Sequence, residues 1–265
     1  MTEPPPDGAV EIHPTAIVDP KAELALGVRI GPYAVIGGGA RVGRDTRIGP
    51  HVIIEGSVEI GERCQLSPGV VVGTPPQDLK YREGTQSGVR IGNENRIREY
   101  VTIHRASMAD AWTTVGDGNF IMAGSHIAHD CRLGNGVVMV NYSGLSGFVE
   151  LEDGVVIGGM TGIHQFCRVG RMAYVGGYTR VVRDIPPYFI VEGNPAVARG
   201  VNVVGLRRND VSSEIRLDLQ RVFKLLYRSG LNRTQALDRI EGEVTMSEPV
   251  AHLIEFIRAS KRGVC

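Results

Sequence analysis

The sequence has no CxxC pair among its four cysteines and no excess charge of either sign, with 29 Lys and Arg against 29 Asp and Glu. It also has no apolar run approaching the roughly 20 residues that cross a bilayer. The cysteine pattern excludes a zinc ribbon or a disulfide framework and predicts a reduced, cytoplasmic protein. Zero formal net charge gives no global field for nucleic acid or a membrane surface. The first residues, MTEPPPDGAV, lack both a basic start and an apolar stretch, so they are read as a short disordered lead over 1–9 and not as a signal peptide. The abundant residue is glycine, at 35 positions, which predicts many tight turns.

A strict period of six runs through the first two thirds of the chain. Ile12, Val18, Leu24, Ile30, Ile36, Val42, Ile48, Ile54, Ile60, Leu66 and Val72 are spaced by six without a miss. The register breaks, returns at Ile91, Ile97 and Ile103, breaks again, and continues from Val115 through Ile121, Ile127, Leu133, Met139, Leu145, Leu151, Ile157, Ile163, Val169, Val175 and Val181. Small or β-branched residues favour the position two before each aliphatic one: Ala34, Ala40, Thr46, Val52, Val58 and Cys64. A six-residue unit cannot bury a core alone, but stacked copies can, with aliphatic side chains in continuous columns. The fold expected is mainly β, a parallel β-helix over residues 10–198, with loop insertions near 73–90 and 104–114.

The periodicity changes after residue 198. VSSEIRLDLQRVFKLLYRSG carries Ile215, Leu219, Val222, Phe223 and Leu226 at helical spacing, with serines at its start and Gly230 at its end. TQALDRIEGEV and EPVAHLIEFIRAS predict two more helices, so a small helical domain is expected over 199–265. Residues 199–233 hold eight Lys and Arg against three acids, a local charge of +5 on a neutral chain. That is either a solvated helix face or a docking surface for an acidic partner.

The same register says where polar side chains point. Cys64, Cys131 and Cys167 fall two before an aliphatic residue and read as small core residues. His13, His51, His104, His126, His129 and His164 all avoid the inward positions. His13 and His51 read as scattered surface residues. His126 and His164 belong to hexads about two coils apart, so with Gln165 they converge on one outer face, where a neighbouring subunit would close a cleft. The first insertion, GTPPQDLKYREGTQSG, carries Gln77, Asp78 and Lys80 on a long loop over a rigid scaffold, a common location for function.

PPQDLKY, NRIREYVTIHR, HIAHDC, IGGMTGIHQFC, IPPYFIVEGNP, GVNVVGLRR and KLLYRSG follow one another from about residue 75 to 230. In these segments the chain resembles the hexapeptide-repeat acyltransferases, and among them the acyl-[acyl-carrier-protein]–UDP-N-acetylglucosamine O-acyltransferases. The resemblance implies a left-handed β-helix shaped as a triangular prism, a homotrimer, and no cofactor or metal. It also implies transfer of a 3-hydroxyacyl chain from acyl carrier protein to the 3-position of UDP-N-acetylglucosamine, at the start of lipid A synthesis. By the same resemblance His129 is the general base, Asp130 its neighbour, and Gly147 the backbone donor to the oxyanion. Asp78, Lys80, His126, His164, Gln165 and Arg208 become sugar and phosphate contacts, Asn202 a nucleotide-side contact, Asn141 a residue along the acyl path, and Gly177 the position that sets acyl length.

Three positions depart from the family pattern: Phe148 stands in place of a sugar-contacting histidine, Val204 in place of a glutamate, and Asn209 in place of an arginine. They leave open a 3-amino sugar nucleotide as acceptor. Other readings are weighed against the same residues. A lipid A N-acyltransferase would carry an extra domain ahead of repeats that here begin by Ile12. A coenzyme A-dependent acetyltransferase has no need of the HIAHDC and HQFC segments with this tail. A γ-carbonic-anhydrase-like zinc hydratase needs three converging histidines, which His126, His129 and His164 make conceivable. A purely structural protein has no use for a polar set at His126, His129, Asp130 and Gln165.

Overall fold

Most hexads form a two-residue strand and a turn, beginning with Glu11–Ile12, Ile17–Val18 and Glu23–Leu24, and a few strands extend to three or four residues. A strand this short has no stability alone. It is held because every third strand stacks on it in parallel: Ile12 on Ile30, Val18 on Ile36 and Leu24 on Val42. The result is a left-handed parallel β-helix with three flat faces, whose sheets hold 11, 9 and 8 strands among the described residues. We number the faces by these opening strands as first, second and third. The structure is a computed structural model and describes residues 8–265, so the lead expected at 1–9 lies, up to residue 7, outside it.

The aliphatic columns form the core: Ile54, Ile97, Ile127 and Ile157 are at most 1% exposed. Cys64, Cys131 and Cys167 are fully buried among them, in the small inward position expected for them. A polar residue there must satisfy itself within the coil stack. Thr46 does so by donating to Gly61 O at 2.8 Å and accepting from Cys64 N at 3.0 Å. At the opening coil Ile12 remains 47% exposed, because nothing among the described residues stacks beyond it.

The far end is closed by Phe189–Glu192, which joins the first face in parallel and pairs antiparallel with Val197–Val201. Four helices follow: α1 (Val203–Arg208), α2 (Ser213–Tyr227), α3 (Arg233–Glu243) and α4 (Glu248–Ala259). The last three are the helices expected from periodicity. Ser212 caps α2, and Asn232 with Gln235 forms a capping box on α3. α1 is too short to carry a helical period and was not expected. α4 docks on the prism through His252, which lies 3.0 Å from both Tyr188 Oη and a Glu152 carboxylate oxygen.

Both insertions leave the same corner. A coil is 18 residues where Leu145 stacks on Ile163, but 31 residues separate Val72 from its partner Ile103, and 24 separate Ile103 from Ile127. All of these lie on the second face, and the extra residues depart before the third. The two loops therefore emerge side by side, in the coils just ahead of His129.

Candidate active site

The 18-residue coil places residues into columns along each corner. After the second-face strands, His129, Gly147 and Gln165 form one column, with Asp130, Phe148 and Phe166 beside them. Asp130, Phe148 and Phe166 take the left-handed backbone conformation, φ 60°, 61° and 64°, that turns the chain onto the third face. The side chains of this corner point away from the core. His129 and Asp130 are nonetheless only 8% exposed, because the insertions fold over them.

His129 Nδ1 lies 2.7 Å from Asp130 Oδ2. That oxygen also accepts from the Ser107 backbone N–H at 3.0 Å and from Ser107 Oγ at 2.7 Å. Thr113 Oγ1 accepts from the Asp130 N–H at 2.8 Å. Held by the two Ser107 donors, the carboxylate fixes the imidazole orientation and leaves Nε2 facing the cleft. The Gly147 amide has no acceptor among the described residues, a property of the turn position it occupies. A methyl group added at Gly147 would sit 2.7 Å from His129 Nε2, so only glycine lets the ring lie over this amide.

The cleft is about 700 Å³ and is walled by Asp78, Lys80, Ser107, His129, Phe148 and Gln165, among others. Asp78 shapes its loop by accepting from Lys80 N through Oδ1 at 2.9 Å. Phe148 meets the His129 ring edge-on with centroids 5.5 Å apart, and stacks on Phe166 at 4.8 Å. His126 stands beside the cleft on the second face, with Nδ1 2.7 Å from Thr102 Oγ1. Burial, and then the neighbouring His129, hold its pKa below the usual imidazole range. His104 packs edge-on against it at 4.9 Å, and burial, with His126 and His129, pushes its pKa down to about 4. The Nδ1 atoms of His126 and His129 are thus both engaged. No group of three or more His, Cys, Asp or Glu suited to a metal forms among the described residues.

His164 lies on the same face, one residue past Ile163, where Ile127, Leu145 and Ile163 stack. Asn141 and Gly177 belong to the opposite corner of that face, two coils apart. A Cβ on Gly177 would lie 3.3 Å from Gly159 O, in the coil between them. Outward positions Gly144 and Gly162 have open space above them, so the surface between the two corners is smooth. Asn202 and Arg208 are not brought to this cleft. They follow Val197–Val201 on the first face, where buried Asn202 caps α1 by accepting from Gly205 N at 3.0 Å and donates to Met172 O at 2.9 Å. Arg208 is exposed in the last turn of α1, Val204 is 51% exposed in its first, and Asn209 is its C-cap.

Sequence reasoning missed Ser107, Thr102 and Phe166. Ser107 sits in an insertion with no register to read. Phe166 was legible, because it lies 18 residues after Phe148 in the same column.

The molecule is matched by models of the bacterial transferase hexapeptide over residues 39–74 and 113–147, and of UDP-N-acetylglucosamine O-acyltransferase domain 2 over residues 184–265. An acyl-[acyl-carrier-protein]–UDP-N-acetylglucosamine O-acyltransferase from Thermodesulfovibrio yellowstonii is 50% identical over 256 residues, covering 96% of this chain and 99% of the relative. The crystal structure of a UDP-N-acetylglucosamine acyltransferase from Bacteroides fragilis superposes with a TM-score of 0.94 at 37% identity, covering 96% and 99% of the two chains. The Arabidopsis UDP-N-acetylglucosamine acyltransferase does so at 0.85 and 34%, with the same coverage. Fold and repeats together define a hexapeptide-repeat acyltransferase. Within that class, the chain belongs to the acyl-[acyl-carrier-protein]–UDP-N-acetylglucosamine O-acyltransferase family.

Proposed function

We propose that the protein transfers a 3-hydroxyacyl chain from acyl carrier protein to the 3-hydroxyl of UDP-N-acetylglucosamine, the first step of lipid A biosynthesis, with His129 as general base. The observation that carries this is the His129–Asp130 pair at 2.7 Å, set over the unpaired Gly147 amide. Nε2 takes the sugar hydroxyl proton as the oxygen attacks the thioester carbon. Asp130 stabilises the imidazolium that results. Charge builds on the thioester oxygen, toward which the Gly147 N–H donates. The C–S bond then breaks, and the proton on Nε2 passes to the departing thiolate.

Asp78, Lys80, His126, His164 and Gln165 hold the sugar and phosphates on this chain. Asn202 and Arg208 act on the nucleotide side of a neighbouring subunit's cleft. The acyl chain runs across the smooth second face past Asn141, and Gly177 sets its length. Convergence of the two sets requires the first face of one subunit to meet the second face of the next. Such a heterologous contact closes into a ring, here a homotrimer. The outward residues of the first face support that arrangement: Phe120, Met122, Val138, Val140 and Val156 are apolar and only partly buried within one chain. The carrier protein, which is acidic, docks at the basic 199–233 segment.

Phe148 favours a second acceptor. Its ring offers the sugar no hydrogen-bonding atom, which weakens selection for a 3-hydroxyl over a 3-amine. The test is transfer from a panel of 3-hydroxyacyl carrier proteins to both forms of the sugar nucleotide. Use of the hydroxy form supports the ester reaction, and preference for the amino form assigns the amide. Turnover with neither removes the proposal.

A further inference from the structure

We propose that Arg262, on the C-terminal tail, is a positioning residue that fixes the tautomer of His164 so that its Nε2–H faces the acceptor. The inference rests on the proposed role of His164 as an acceptor contact. The tail after α4 is tied to the prism at one buried residue. Asp184, 1% exposed, accepts from Ser260 Oγ through Oδ2 at 2.7 Å, donates its N–H to Gly263 O at 3.0 Å, and accepts from Cys265 N through its carbonyl at 3.0 Å. Val264 is buried, and Tyr227 Oη donates to Cys265 O at 2.6 Å. Arg262 lies inside this tethered stretch, 98 residues from His164 in sequence. Its Nη2 is 3.3 Å from both His164 Nδ1 and Val182 O.

A guanidinium has five N–H donors, no acceptor, and no accessible neutral form. A hydrogen bond to His164 Nδ1 must therefore run from arginine to an unprotonated nitrogen. Nδ1 has a competing partner, the Gln165 carbonyl at 3.1 Å, to which it could only donate. The two contacts require opposite tautomers. With Arg262 present, a proton on Nδ1 would point toward a fixed positive charge, so the proton belongs on Nε2. The ring then offers a neutral N–H donor to the hydroxyl or phosphate oxygens of the sugar nucleotide. Without Arg262, Nδ1 donates to Gln165 O, and Nε2 presents a lone pair, which can accept from a hydroxyl but gives a phosphate oxygen no donor.

The test uses Arg262→Met and Arg262→Lys in the full chain, with ¹⁵N-labelled histidine. The His164 ring signals are assigned by their loss in His164→Gln, and spectra are taken above the ordinary imidazole pKa of about 6.5. The wild type should show the Nε2–H tautomer, Arg262→Met the Nδ1–H tautomer, and Arg262→Lys a return toward the wild type. In kinetics, KM for the sugar nucleotide should rise about 10-fold in Arg262→Met, the worth of one hydrogen bond. Its kcat should stay within about 2-fold, as expected for lost ground-state binding. A wild-type His164 protonated on Nδ1, or an unchanged tautomer in Arg262→Met, overturns the proposal. Absence of acyl transfer by the wild type would instead remove the functional reading and leave the tautomer result to stand by itself.

Discussion

Two residues beside the cleft carry predictions, one for stability and one for turnover. His104 is held neutral by burial, then by His126 and His129, with its pKa near 4 against an ordinary 6.5. A depressed folded pKa means the unfolded chain takes the proton first. Stability is therefore full above about 6.5 and falls as pH drops through about 4. Thermal melts across that window should show the loss, and His104→Asn should show less of it. Gly147→Ala tests the opposite face of the imidazole. The new methyl must displace the His129 ring, and a misplacement of about 1 Å costs on the order of 100-fold in turnover. The midpoint of unfolding should move little, because this turn lies outside the core; a fully active Gly147→Ala would show that the ring does not depend on this close approach. At this scale the register made only the outward direction of His129 legible, and the roles given to His129, Asp130 and Gly147 came from the family resemblance. Ser107 was not legible, since a loop side chain reaches its partner through a path the sequence does not encode.

At the scale of elements, the hexads specify the prism nearly completely. One aliphatic and one small residue per unit determine strand, turn, face and depth, as the Cys64, Cys131 and Cys167 positions illustrate. The interruptions are informative for the same reason: a scaffold this regular makes each extra residue visible. That both loops leave one corner follows from counting coils. That they bury His129 and Asp130 needed the structure, because burial depends on how the loops fold back. α1 and the closing hairpin escaped notice, being too short to show a period. The outward apolar residues of the first face are the element-scale liability of a lone subunit. Val138→Glu with Val156→Glu should leave the coil stack intact by circular dichroism and shift sedimentation from trimer to monomer. A trimer that persists would move the interface to another face.

For the whole molecule, charge is distributed so that a neutral chain carries one basic region. Within it Arg221 is paired with Asp218 at 3.0 Å and Arg216 donates to Val211 O, while Lys224 is exposed. Asp218 is buried while the Arg221 side chain stays exposed, so Arg221 and Lys224 still face solvent where a partner can meet them. Charge reversal at Arg216, Arg221 and Lys224 should slow use of the acyl carrier protein donor and flatten its salt dependence, with little change in sugar-nucleotide binding. Equal loss of both would assign the region to structure. The central claim is that chemistry occurs at His129 above the Gly147 amide, and the most direct measurement is kcat of His129→Ala beside its melting curve and sedimentation. The account predicts an unchanged assembly and midpoint with turnover reduced by roughly 10²–10⁴-fold. Near-normal turnover in the folded variant would contradict it.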